Sequence, residues 1–192
     1  MKNKNFFGCI INPFVKIAGW KALGLGLMFV FVSGYLGSLG NVAFDGVIDT
    51  HFVKSLSLGD SFLLLFVDVV ILAVVMGLLS LTVTKGFRFI DVLGTLTLAR
   101  APFLLLAIAG LFTEAPELSA ILNDPYSIFH STSFVLFMLL TILVLIWFIT
   151  LIYNALNVST GIKGSKLTAV FLVALLIAEV LSKIVSYKIL IA

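Results

Sequence analysis

Long unbroken runs of apolar residues dominate the chain, in place of the alternation of a strand or the stripe of a soluble helix. Five of them are long enough to cross a hydrocarbon core, which takes about 20 residues at helical rise. They lie near residues 20–39, 61–81, 93–112, 133–152 and 168–190. Lipid offers backbone amides no partner, so each run is predicted to be an α-helix. The third is the least regular, because Thr95, Thr97, Arg100 and Pro102 interrupt it. The expected fold is an all-α integral membrane protein, a bundle of five transmembrane helices. Residues 1–192 form a single transmembrane domain, with 1–19 as a cytoplasmic or interfacial N-terminal segment.

Composition points the same way. Hydrophobic residues make up 61% of the chain and charged ones only 11%. A water-soluble domain of this size has too little interior to hide that much apolar surface, whereas lipid solvates it directly. The net charge of +3 is small and spread along the chain, so no nucleic-acid partner is expected. One cysteine, Cys9, excludes an internal disulfide and most cysteine-based metal sites.

Charge sorts by loop. Lys2, Lys4, Lys16, Lys21, Lys85, Arg88, Lys163 and Lys166 fall on one side of the predicted spans, with Asp91 as the acid among them. Asp45, Asp49, Asp60, Glu114, Glu117 and Asp124 fall on the other, with Lys54. Positive loops stay cytoplasmic, which predicts an inside N-terminus and, after five crossings, an outside C-terminus. A multi-pass protein of the cytoplasmic (inner) membrane is expected. Ser38 and Gly40 are spaced somewhat like a signal cleavage site. The apolar run before them exceeds the roughly 7–15 residues of a signal core, which favours a retained helix.

Phe6, Phe7, Ile10, Phe14 and Ile17 recur at helical spacing near Lys2, Lys4 and Lys16, as in a segment lying on the inner leaflet. A plain juxtamembrane tether fits equally well. Either way Cys9 reads as a small buried hydrophobe. Small residues mark expected helix contacts: Ser33 with Gly37, Gly34 with Ser38, and the Ala174, Ala178, Ser182 seam.

The order of short motifs resembles a family. Asn12-Pro13-Phe14 precedes the first run; Ile90-Asp91-Val92-Leu93-Gly94 and Leu98-Ala99-Arg100-Ala101-Pro102-Phe103-Leu104 open the third. Tyr153-Asn154-Ala155-Leu156-Asn157-Val158-Ser159 and Gly161-Ile162-Lys163-Gly164-Ser165-Lys166 form the last inner loop. This layout resembles bacterial members of the YIP family, five-span proteins named for Ypt/Rab-interacting relatives in eukaryotes. The resemblance implies five spans with a cytoplasmic N-terminus. Eukaryotic members act in vesicle trafficking and membrane shaping and associate with prenylated Rab-type GTPases. They carry longer cytoplasmic N-terminal regions than the 1–19 segment here, so a prenylated-GTPase role is not expected of this chain.

Catalytic chemistry finds little foothold. The Gly161–Lys166 stretch lacks the spacing and the preceding strand of a phosphate-binding loop and reads as a turn with two topology-setting lysines. Asn157-Val158-Ser159 spells a glycosylation sequon on the predicted cytoplasmic side, where it stays unmodified. His51 and His130 both fall in predicted outer loops, and there is no nucleophile elbow or zinc-protease motif. No enzyme activity and no cofactor are expected.

Charges inside the runs carry more information: Asp68, Arg100, Glu179 and Lys183. Each costs roughly 2.5–3.5 kcal/mol near the centre of a bilayer and must face protein or water. Glu179 and Lys183, four residues apart, are placed to pair. Asp68 lies about 11 Å below the outer end of the second run at 1.5 Å per residue, and Lys183 at comparable depth in the fifth. An Asp68–Lys183 contact is therefore expected where those helices meet. Arg100 is expected to snorkel toward phosphate or cap an inner-loop carbonyl. The cluster reads either as a structural ion-pair network or as the lining of a polar cavity. In the first outer loop Asp45, Asp49 and His51 offer two carboxylates and an imidazole to a cation, with His130 or Asp124 as further ligands. As ordinary acids of an outer loop, the same residues need no ion.

Two functions follow. One is a non-enzymatic scaffold of the YIP type, acting on membrane shape or through a protein partner or a second copy of itself, with the lipid bilayer as its first partner. The other is a small transporter or ion-translocating protein built on the intramembrane charges.

Overall fold

The computed structural model describes residues 6–116 and 118–191. A short helix α1 (Phe6–Ile11) and a 3-10 turn (Pro13–Val15) lead into α2 (Gly19–Leu39). A two-residue hairpin, β1 (Val42–Ala43) with β2 (His51–Phe52), precedes α3 (Leu58–Leu81). The third crossing is α4 (Phe89–Ala99) continued by α5 (Phe103–Gly110). After α6 (Leu118–Asn123) and a 3-10 turn (Pro125–His130) come α7 (Thr132–Thr160) and α8 (Gly164–Ile191). The fold is almost wholly helical, and five helices are long and apolar enough to cross a membrane, counting Phe89–Gly110 as one. This is a multi-pass membrane protein.

Helix ends follow local chemistry. Ser57 caps α3, its hydroxyl accepting from the Asp60 amide at 3.0 Å. Gly161 closes α7 in the left-handed region at φ 71°, donating its amide to Asn157 O. Polarity rises after residue 152, where the fourth apolar run is expected to end, yet α7 continues to Thr160. Ala155 and Leu156 explain the extension, because both are fully buried and the bundle supports the last turns.

The third crossing is not one continuous helix. Pro102 has no amide hydrogen to donate, and it disfavours a helical residue before it. Around it the hydrogen bonds tighten to i−3 steps: Arg100 N to Thr97 O at 3.2 Å and Phe103 N to Arg100 O at 3.0 Å. This span is 67% buried, against 28–44% for the other four. Its polar residues are tolerated because protein surrounds them. Thr95 Oγ1 donates to Asp91 O at 2.7 Å and meets Ser159 Oγ of α7, and Thr97 Oγ1 bonds back to Leu93 O.

Backbones meet closely where α2 crosses α4. A Cβ at Gly26 would stand 2.5 Å from Leu98 N, so only glycine allows this approach. The expected seam positions are buried too, except Ser38, whose hydroxyl donates to Tyr35 O of its own helix. Gly34 abuts Phe62 and accepts from Ser61 Oγ, and Ala174, Ala178 and Ser182 are fully enclosed on α8. The N-terminal segment is fastened to α7: Trp147 Nε1 donates to Ile10 O and Asn154 Nδ2 to Ile11 O, each at 3.1 Å, while Phe14 is buried. Expectations for Lys2, Lys4 and Glu117, and for the side chains of Phe6, Phe7 and Cys9, lie outside the described residues.

The loop between α2 and α3 departs most from expectation. Rather than lying in solvent, residues 42–47 are buried among the helices. Val42, Ala43 and Val47 are inaccessible, and Phe44 meets Phe103 edge-on with ring centroids 5.5 Å apart. Asn41, at φ 53°, turns the chain inward and accepts the Leu56 amide on its side chain.

Candidate functional site

An inserted loop brings non-helical backbone into a helical bundle, and its polar groups need partners that lipid does not supply. The intramembrane charges supply them. Arg100 sits where the third crossing breaks, and its Nη2 donates to Gly46 O at 3.2 Å and Val47 O at 3.3 Å. Glu179 of α8 accepts the Ile48 amide on Oε2 at 2.9 Å. Lys183, one turn further along α8, donates to Asp45 Oδ2 at 3.1 Å and also binds Asp49. Gly46 is the pivot of the loop. A Cβ there would lie 2.7 Å from Glu179 Oε1, 3.0 Å from Asp49 Cβ and 3.2 Å from Lys183 Cε.

Beneath the loop lies a sealed ion pair. Asp68 of α3 is 0% exposed and Arg100 only 2%. Arg100 Nη2 stands 3.0 Å from Asp68 Oδ2, and Ser182 of α8 donates to the other carboxylate oxygen. The guanidinium faces two rings, with Cζ 5.1 Å from the Phe103 centroid and 5.7 Å from that of Phe148. A desolvated charge pair needs its remaining lone pairs and protons occupied. The loop carbonyls and Ser182 do this for Nη2 and for the second carboxylate oxygen, while Arg100 Nε is left without a partner.

These contacts correct three expectations. Arg100 does not snorkel or cap an inner loop; it is buried on Asp68 and on the carbonyls of the acidic loop. Asp68 does not pair with Lys183. Its partners are Arg100 and Ser182, while Lys183 takes Asp45 and Asp49. Adjacent helical residues point about 100° apart, so with Ser182 aimed at α3, Lys183 faces the loop. Nor do Glu179 and Lys183 form an ion pair among the described residues, since Glu179 is turned to the Ile48 amide. These roles of Ser182 and Gly46 are not evident from the sequence. Ser182 carried a signal as the polar end of a small-residue seam; Gly46 carried none beyond its place between two aspartates.

At the rim, Asp45, Asp49 and His51 do come together, their ligand atoms all within 4.8 Å of one another. His130 and Asp124 do not join them; Asp124 instead caps the turn that follows it by accepting the Tyr126 amide. His51 Nδ1 lies 3.0 Å from Asp45 Oδ1. Burial works to raise the Asp45 carboxyl, but the hydrogen bond and charge of His51, and then those of Lys183, outweigh it and hold the group below its ordinary range. The hydrogen bond to Asp45 raises His51 against the opposing effects of burial and the Lys183 charge. The rim can therefore hold a proton or another cation, whereas the Asp68–Arg100 pair is closed. The chain matches no family model, no curated protein and no solved structure.

Proposed function

We propose that this chain is a non-enzymatic multi-span scaffold of the YIP type, acting on membrane shape or through a protein partner. On this reading it resides in a cytoplasmic membrane with its lysine-rich loops inside. One observation carries it: each intramembrane charge is engaged by another protein group, and together they hold an inserted loop in place. Charges spent on internal packing favour a rigid body that bends or recruits over a pathway that must release and rebind an ion. The resemblance of the motifs at 12–14, 90–104 and 153–166 supports the same reading, and the lysines at 85, 163 and 166 support the orientation.

Reconstitution into liposomes tests the function. The scaffold reading expects protein-dependent change in vesicle diameter with no flux of protons, sodium or potassium. Ion flux abolished by Asp68→Asn would replace it with the ion-translocating reading. For orientation, a cysteine at position 163 in a Cys9→Ser background should resist an impermeant reagent in intact cells, and labelling from outside would reverse the topology.

A further inference from the structure

The charges around the inserted loop do not balance. Asp68 and Arg100 neutralise each other. Above them Asp45, Asp49 and Glu179 face the same few residues of loop and α8, and Lys183 is the cation among them. With His51 neutral, three carboxylates against one ammonium leave an excess of two negative charges. Asp45 is more than nine-tenths buried, and the group facing its Oδ1 is the His51 ring nitrogen at 3.0 Å. Two lone pairs at that distance repel unless a proton or a metal ion lies between them.

We propose that Asp45, Asp49 and His51 form a binding site for a divalent transition-metal ion, and that the Lys183 ammonium guards it by occupying the carboxylates when no metal is bound. The donor set, one imidazole nitrogen with two carboxylate oxygens, suits zinc, which takes nitrogen at about 2.0–2.1 Å and oxygen at about 2.0–2.2 Å. Ligand atoms on one such ion stand about 3–4 Å apart, so the group, spread within 4.8 Å, needs to contract only slightly. The side chains that must move are the mobile ones, Asp49 being 45% exposed, His51 44% and Lys183 38%. Asp45 stays fixed by its burial. A divalent ion cancels the excess charge, and the long, half-exposed Lys183 chain can swing its head away from the loop as the ion enters. The hairpin of β1 and β2 carries all three ligands, so occupancy would lock the inserted segment.

The test uses the full-length chain in detergent, stripped with a chelator, in a Cys9→Ser/His130→Gln background that removes other soft ligands. Zinc ions alone are added, and bound metal is measured by equilibrium dialysis with elemental analysis. The expected result is one zinc per chain, lost in Asp45→Asn and in His51→Gln. His51→Gln lies at a half-exposed position and leaves the loop's packing intact. Lys183→Met should bind zinc at least ten-fold more tightly, because the competing cation is gone. Zinc binding that persists in both ligand variants, absence of zinc from the parent, or unchanged or weakened binding in Lys183→Met would each overturn the proposal.

Discussion

Two ion clusters meet at the same inserted loop, and they are built differently. Asp68 and Arg100 meet in the middle of the bundle, fully enclosed, with charges matched and with hydrogen bonds to Ser182, Gly46 and Val47, Arg100 Nε alone of the guanidinium nitrogens being unpartnered. Asp49, His51 and Lys183, each partly exposed, meet the buried Asp45 at the rim, with negative charge in excess and a His51–Asp45 contact that needs a proton or a cation between its atoms. Identical chemistry thus serves two ends. In the core a mismatch would cost several kcal/mol and packing leaves nothing free to exchange. At the rim water screens the charges, so partners can be swapped.

The sharpest break of this comparison is Arg100→Met. It strands the Asp68 charge and two loop carbonyls in the bundle, and loss of one partner of a buried pair costs about 3–5 kcal/mol. A large fall in melting temperature in detergent is expected. Adding Asp68→Asn should restore part of it, because a neutral amide no longer demands a counter-charge. A double variant as unstable as the sum of the singles would show that the two residues are not coupled.

Gly46→Ala tests the loop that joins the clusters. Its methyl group meets Glu179 Oε1 at 2.7 Å, so the loop or Glu179 must shift, at a cost of about 1–3 kcal/mol. Proteolysis at 44–56 should accelerate along with the loss of stability. Unchanged melting and cleavage would mean that the loop is not seated against α8.

Lys183→Met should cost under about 1 kcal/mol in metal-free protein, because the pairs it breaks are partly exposed. A loss as large as that of Arg100→Met would erase the distinction between core and rim.

The smallest effect is that of pH. His51 is raised above its ordinary 6.5, so its contribution is complete below that value and is lost as pH climbs through the folded value. Asp45 is lowered from 3.8, so its contribution is complete above that value and fades as pH falls through the folded one. Chelator-treated protein should therefore be most stable between the two ordinary values. The decline on the alkaline side should amount to under about 1 kcal/mol, and His51→Gln should abolish it. An alkaline decline of equal size in that variant would assign it to another group.

What the sequence determined by itself is whatever depends on neighbours along the chain or on the solvent. Five apolar runs become helices because lipid leaves the backbone no alternative, and Pro102 breaks the third because a missing amide hydrogen is a local fact. Asp45, Asp49 and His51 lie within seven positions of one another, so their meeting at a turn was legible. Tertiary structure decided the pairing. Depth along a helix can be counted from the sequence, and it put Asp68 level with Lys183 of α8. Azimuth cannot be counted, and it gave Asp68 to Ser182 and Lys183 to the loop. Nor does the short apolar stretch 42–47 announce that it turns inward, since it is far too brief to read as a span. Only when α2, α5 and α8 leave a space of its shape does burying Val42, Phe44 and Val47 become favourable. The buried backbone then claims Arg100 and Glu179, because a carbonyl or amide inside the bundle has no water to bond.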